Sequence, residues 1–371
     1  MELVKCSKDT LLNPLQVVCG IVERRHTLPV LANVLFKKSA NTLTLTSTDI
    51  EIQIKTQLSV EDGEANDVNT TVNAKKLLDI LKSLPEGKDV ALNLKDNKVA
   101  ISSGKSKFNL QTLPANDFPE MAKTGEFTHK ITIKQKSLTE LLNKAHFAMA
   151  VQDIRYYLNG MLMMVQGNEL VVVATDGHRL AYAQTSTDQD LGEKKEFILP
   201  RKTVLELQRL LKDNDEDVVI ELSNNQIRFT FNDIELTSKL VEGKFPDYQK
   251  VIPKDYTKAV QINRQVLQQA LQRVAILSNE KFKGVRCLVE ANTIKVSSTN
   301  TDQENALEEL DVEYSGEPLD IGFNVHYLLD VLSNQKTENI ILNLGNSANQ
   351  SVLITVTEDD TFKYVVMPMR I

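Results

Sequence analysis

The densest cluster of reactive side chains in the sequence is Thr175-Asp176-Gly177-His178-Arg179. An aspartate, a histidine and an arginine within five residues could perform acid–base chemistry. The same residues fit a second reading. Asp-Gly stands between the apolar runs Leu170–Ala174 and Leu180–Tyr182, which is a β-hairpin turn signal. The turn is the simpler expectation. Other catalytic patterns are missing. Gly87-Lys88 and Gly104-Lys105 lack the upstream glycine of a phosphate-binding loop. His26, His129, His146, His178 and His326 are isolated and form no zinc-type pair. No Gly-x-Ser-x-Gly elbow occurs. Cys6, Cys19 and Cys287 are odd in number and scattered, as expected of reduced thiols and not of a disulfide or metal framework. These observations leave the Thr175–Arg179 cluster as the candidate for catalysis, and no metal or cofactor is expected.

The elements that would carry such residues repeat. A polar turn followed by a strand-like run occurs six times, at Asn41, Asn97, Asn168, Asn225, Asn292 and Asn349. Each follows an apolar helix-like segment, beginning near Leu11, Leu77, Leu138, Val204, Val266 and Tyr327. Long and short units alternate, with 127 residues from Asn41 to Asn168 and 124 from Asn168 to Asn292. Phe118-Pro119, Phe245-Pro246 and Met367-Pro368 recur at a similar period. Such self-similarity predicts architecture. It implies three similar domains of two half-repeats each, spanning 1–126, 127–255 and 256–371. The joints are expected near Lys123-Thr124-Gly125-Glu126 and Pro253-Lys254-Asp255-Tyr256. Units of this size match the usual domain.

Helical spacing is visible in Leu138, Leu141, Leu142, Ala145 and in Val266, Ala270, Leu271, Val274. Strand alternation is visible in Val218–Leu222 and Ile340–Leu344. With one helix per half-repeat, the economical fold is α+β, with antiparallel sheet outside and two helices on one face of each domain. The sequence has no run of eighteen apolar residues and no basic-then-apolar leader, so a cytoplasmic protein without a membrane span is expected.

The net charge of −7 argues against nucleic acid, but its distribution argues for it. The helix-like segments with their flanks carry +10 together, against −17 for the remainder. Basic residues are common in helices, so ordinary solvated faces also fit. The sharper expectation is an arc of domains whose helices make a basic concave face. Lys202 and Arg209, seven apart, would lie on one such helix face.

Several longer motifs then point to a family. Tyr156-Tyr157-Leu158-Asn159-Gly160, Ala174–Leu180, Phe245-Pro246-Asp247-Tyr248, Ile276–Phe282 and Val365-Val366-Met367-Pro368-Met369-Arg370-Ile371 resemble the bacterial DNA polymerase III beta subunit, the replicative sliding clamp. The resemblance runs over residues 1–371. It implies a DNA clamp fold, with the two helices of each domain on an inner face. It implies a homodimeric ring around double-stranded DNA, held without sequence preference, that tethers the polymerase. The implied partners are the polymerase catalytic subunit, the clamp loader and repair proteins, docking through short peptides.

By the same resemblance, DNA contact falls on Arg25, Gln152, Tyr156, Tyr157 and Lys202, to which the basic helix adds Arg201 and Arg209. Tyr156 and Tyr157 read otherwise as strand residues, of which at most one would be buried. A peptide groove is implied at Leu158, Thr175, Gly177, His178, Arg179, Leu180, Pro246, Lys250, Val251, Phe282, Ser351, Val365, Val366, Met367, Pro368, Met369 and Arg370. Aliphatic, proline and methionine walls suit such a cleft. An ordinary edge strand is the lesser alternative for the run 365–371. The dimer joint is implied as an apolar seam of Phe108, Leu110, Ile276 and Leu277, with Lys76, Lys98, Lys105 and Lys107 facing Asp302, Glu304 and Glu308. Lys250, Asn305 and Leu307 depart from the family pattern, which replaces an arginine fork and two acidic positions.

Two other functions fit the repeats: an enzyme using Asp176, His178 and Arg179, and a scaffold that binds only proteins. An ATPase or nuclease assay separates the first. Retention on circular but not linear DNA separates the second.

Overall fold

The structure is a computed structural model that describes residues 1–23, 28–60, 67–122, 125–254, 256–357 and 359–371. One pattern of strand, helix and three strands occurs six times within them. The first half-repeat is β1 (Glu2–Ser7), α1 (Lys8–Cys19), β2 (Asn33–Ser39), β3 (Thr42–Thr48) and β4 (Ile52–Ser59). The second is β5 (Val68–Asn73), α2 (Ala74–Ser83), β6 (Asp89–Lys95), β7 (Lys98–Ser103) and β8 (Ser106–Leu113). Then come β9 (His129–Lys134), α3 (Gln135–Asn143), β10 (Gly160–Gln166), β11 (Glu169–Thr175) and β12 (Arg179–Ser186). The fourth is β13 (Lys195–Pro200), α4 (Arg201–Leu210), β14 (Asp217–Leu222), β15 (Gln226–Phe231) and β16 (Ile234–Lys239). The fifth is β17 (Lys258–Asn263), α5 (Arg264–Ala275), β18 (Gly284–Glu290), β19 (Thr293–Thr299) and β20 (Asn305–Asp311). The last is β21 (Leu319–Asn324), α6 (Val325–Ser333), β22 (Asn339–Leu344), β23 (Val352–Val356) and β24 (Asp359–Val366).

Local chemistry explains the joints within each half. The residue that closes the first strand caps the helix. Ser7 accepts from Thr10 N, Asn73 from Lys76 N, Asn263 from Gln265 N and Val266 N, and Asn324 from His326 N. Such caps satisfy amides that the first helical turn leaves unbonded. The six recurrent asparagine turns lie in the hairpins between the second and third strands of each half. Helix ends are also satisfied from the sheet. Ser47 in β3 donates to Val18 O of α1, and Ser298 in β19 donates to Val274 O of α5.

Pairing is antiparallel throughout the named strands, and it is reciprocal. The first strand of each half pairs with the second strand of the neighbouring half: β1 with β6, β5 with β2, β9 with β14, β13 with β10, β17 with β22 and β21 with β18. Sheets also continue past the expected domain joints. β16 pairs with β4, and β24 pairs with β12. The results are a twelve-stranded, an eight-stranded and a four-stranded sheet.

The chain divides into two compact units. The first comprises Met1–Lys136 and Arg209–Leu240 and contains the twelve-stranded sheet, with α1 packed on α2. Its core includes Leu11, Leu15 and Val18 of α1 and Leu77 and Leu81 of α2, all buried. The second comprises Ser137–Gln208 and Val241–Ile371 and contains the other two sheets, with α5 packed on α6. There the α5 stripe is Leu267, Ala270, Leu271 and Val274; Val266, expected on the apolar face, is 47% exposed. The stripe starts one residue later because positions three and four apart share a helix face. The expected joints fall partly on residues 123–124 and 255, outside the described residues. No described helix is long and apolar enough to cross a membrane.

Candidate functional site

The Asp176-Gly177-His178 turn joins β11 to β12. Its aspartate is consumed by structure: Asp176 accepts from His178 N at 2.9 Å, from Arg179 N at 3.1 Å and from Arg179 Nε at 3.1 Å. His178 is exposed and stacks on Tyr327 at 6.5 Å. The turn between two paired strands fits the hairpin reading. Gly177 has φ +90°, and a Cβ there would meet the Arg155 guanidinium at 3.0 Å. Only glycine takes both the conformation and the close approach.

Arg179 is nearly buried and fully engaged. It donates to Asp176, to Asp330 Oδ2 on α6 at 2.5 Å and to Phe147 O at 2.6 Å. Its guanidinium lies 4.5 Å from the centre of the Tyr327 ring. Burial works against its charge, but Tyr364 and the two carboxylates outweigh that and raise its pKa. On the other side, Arg155 forks onto Asp153 and donates to Asp176 O at 3.2 Å. Its grip holds the Asp153 carboxyl down at about 2.

These contacts frame a cleft of about 160 Å³. Leu158, Thr175, Gly177, Arg179, Leu180, Pro246, Val251, Val365 and Met367 line it, all expected groove residues. It lies on an apolar core containing Leu158, Leu162, Val173, Leu180, Phe245, Tyr248 and Val365. Partly buried aliphatic and aromatic walls with few polar groups suit an apolar side chain of a peptide. Three lining residues were not anticipated as site residues: Arg155, Phe245 and Tyr248. Phe245 and Tyr248 stand inside a motif that sequence reading had singled out. Arg155 has no sequence signal, because its role depends on the φ of a glycine 22 positions away.

The remaining expected groove residues lie outside the lining of this cleft. Lys250 is exposed and pairs with Asp247 at 3.0 Å. Phe282 is 57% exposed beside Lys281. Ser351 accepts from Tyr256 Oη through its carbonyl, and Val366 is buried. His178 and Pro368 flank the cleft in sequence. Met369 and Arg370 line a separate shallow surface with Gly284 and Gly322.

Of the residues expected to touch DNA, Arg25 lies outside the described residues. Gln152 is exposed, with φ +56°, in the segment before β10. Tyr156 and Tyr157 sit on a short 3₁₀ turn, not on a strand. Tyr156 is 58% exposed, while Tyr157 is half-buried against the cleft core, with ring centres 5.9 Å apart. Arg201 and Lys202 open α4 and are half-buried. Arg201 donates to Met149 O at 3.4 Å. Arg209 is exposed, yet it donates to Val17 O at 2.7 Å and Gln16 O at 3.4 Å. Those carbonyls belong to the last turn of α1, so Arg209 also acts as a helix C-cap.

Some of the expected seam residues lie on two open strand edges, and others on or just past helices. β8 pairs along β7 but meets β5 only at Thr112 and Leu113. Phe108 and Leu110 alternate as half-buried residues on it, and Lys98, Lys105, Lys107 and Lys76 are exposed nearby in sequence or on α2. β20 has β19 as its single sheet neighbour. Asp302 and Glu304 are exposed before it, and Glu308 is forked by Arg273 of α5 at 2.7 and 2.8 Å. Ile276, just past α5, is 77% exposed, and Leu277 is half-buried. No group of metal-binding side chains occurs among the described residues.

Comparison with known proteins gives one answer along the whole chain. Models of the DNA polymerase III beta subunit match in order: the N-terminal domain at 1–122, the central domain at 132–247 and the C-terminal domain at 249–370. The beta sliding clamp of Pseudomonas putida is 46% identical over 364 residues, 98% of either chain. A crystal structure of the DNA polymerase III subunit beta from Pseudomonas aeruginosa superposes with a TM-score of 0.95 at 45% identity, covering 100% of both chains. Another, of the Pseudomonas aeruginosa sliding clamp bound to griselimycin, gives 0.94 at 45% identity over 99% of both.

Proposed function

The chain belongs to the bacterial DNA polymerase III beta-subunit family, and on that premise we propose how its own residues perform the work of a DNA sliding clamp. It is a non-catalytic processivity factor: a homodimeric ring that encircles duplex DNA and tethers the replicative polymerase. The observation that carries this conclusion is the match to solved sliding clamps over the full chain, 45% identical at a TM-score of 0.95, where a shared single domain would have meant much less.

In the finer reading, three domains at 1–126, 127–255 and 256–371 each present two helices to the DNA. The support is the sixfold element pattern and the positive balance of the helical segments. Duplex DNA is a line charge of one per ~1.7 Å, so a basic lining attracts it without fixing a register. Gln152, Tyr156, Arg201 and Lys202, with Arg25, would make those contacts. Arg209 contributes charge while its donors brace α1.

Ring closure joins the open edge of β8 in one protomer to that of β20 in its partner, a head-to-tail contact that closes after two copies. Ile276 and Leu277 supply its apolar seam. The lysines around β8 and the acidic residues before β20 supply orientation, and salt screens that part. The cleft beside Leu180 and Met367 takes apolar side chains of peptides from the polymerase catalytic subunit, the clamp loader and repair proteins. We propose griselimycin, which is bound to the Pseudomonas aeruginosa relative, as a probe of this cleft. The protein works in the cytoplasm at the nucleoid.

The test is topological. Clamp loaded on nicked circular DNA should stay bound through gel filtration and be lost when the circle is cut. Equal loss from circles and linear DNA would refute encirclement.

A further inference from the structure

The segment after β24 crosses from one sheet to another. Met367 N donates to His178 O at 2.9 Å, beside the eight-stranded sheet. Two residues on, Met369 N donates to Gly322 O at 2.8 Å, on β21 of the four-stranded sheet. Pro368 between them has no N–H to satisfy. Ile371 then packs over Gly322 and Gly284. Met367, which lines the cleft, is therefore held inside a short bridge with one anchor at each end.

The landing of that bridge depends on a missing side chain. A Cβ on Gly322 would meet Met369 O at 2.4 Å and Ile371 Cδ1 and Cγ1 at 2.7 Å each. All three belong to the bridge. The Gly322 backbone lies outside the left-handed region, so the strand itself does not require glycine there. Glycine within a strand weakens it and marks a close approach of other backbone. Gly284 differs: its Cβ would meet Ile371 at 3.4 Å, an ordinary contact.

The geometry points to Gly322 as a positioning residue for the cleft. By letting residues 367–371 dock on β21, it fixes where Met367 stands in the wall that a partner peptide meets. This rests on the cleft being the partner site.

The experiment uses the full chain and griselimycin titrated by calorimetry, with hydrogen exchange of residues 366–371 followed in parallel. Gly322→Ala should bind griselimycin about tenfold more weakly. Its Met367 and Met369 amides should exchange at least about tenfold faster, with dimer mass and retention on nicked circles unchanged. Gly284→Ala should behave as wild type. Met369→Pro removes the same hydrogen bond without touching β21, and should weaken griselimycin similarly. Wild-type affinity in Met369→Pro overturns the proposal, whatever the stability of Gly322→Ala. Wild-type affinity and exchange in Gly322→Ala overturn it too. Val251→Asp places a charge in the cleft lining and should abolish binding. If Val251→Asp binds as wild type, the cleft reading falls and the proposal with it. If Val251→Asp loses binding while Gly322→Ala keeps it, the positioning role alone is refuted.

Discussion

Arg179 Nη1 donates to Asp330 Oδ2 at 2.5 Å, a bond that ties β12 to α6. The side chain of Arg179 is only 9% exposed, that of Asp330 41%. Asp330→Ala should therefore leave a largely buried guanidinium with one carboxylate fewer, at a cost of about 1–3 kcal/mol. A lowered urea midpoint would register this. Asp330→Asn, which keeps an acceptor, should lose less. Identical melts for all three proteins would show the bond to be idle.

Ile276 and Leu277 present apolar surface past the end of α5. Changing both to alanine should yield particles of the 41.7 kDa chain mass in light scattering, where the parent shows twice that. Burial of such side chains contributes about 1.5–3 kcal/mol each, more than exposed ion pairs. A variant that stays dimeric would remove these residues from the seam.

Lys202 and Arg209 should separate in a salt titration. Lys202→Gln should reduce the slope of log affinity against log salt by about 1 for duplex DNA. Arg209→Gln should also destabilise the protein, by about 1 kcal/mol, because the Val17 and Gln16 carbonyls lose their donor. An unchanged slope for Lys202→Gln would place that lysine away from the DNA.

Cys287 should resist alkylation in the native state. It is buried, and burial, with a smaller contribution from Asp320, pushes its thiol up to about 12. At pH 8 only about one molecule in ten thousand would carry the thiolate, the species that reacts. Raising the pH toward 12 increases that fraction, so native reactivity should climb with pH. Iodoacetamide at pH 8 followed by mass spectrometry should find Cys287 unmodified until urea is added. Rapid native labelling would contradict the burial.

Much of this architecture was legible in the chain. Helical and strand periods are local, so the segments near Leu11, Leu77 and Leu138 correspond to α1, α2 and α3. The asparagine turns are local too, and their repetition exposed the sixfold pattern. Partners in β-pairing are not local. Nothing near Ile234 announces Thr56 as its neighbour, and nothing near Arg179 announces Val366. For the same reason the dual duty of Arg209 and the fork of Arg155 stayed hidden. Each depends on backbone brought close by folding. The single-residue slip on α5, where Leu267 and not Val266 turns inward, shows the limit of a helical period read without its partner surface.

The reciprocal loan of first strands has a consequence for engineering. A half of some sixty residues, cut out alone, would own a strand with nowhere to lie and a gap shaped for its twin. Such a fragment becomes whole only against a complementary half that lends its own first strand. Expression of residues 1–59 apart from 68–113 should accordingly give insoluble material singly and a folded complex when the two are made together.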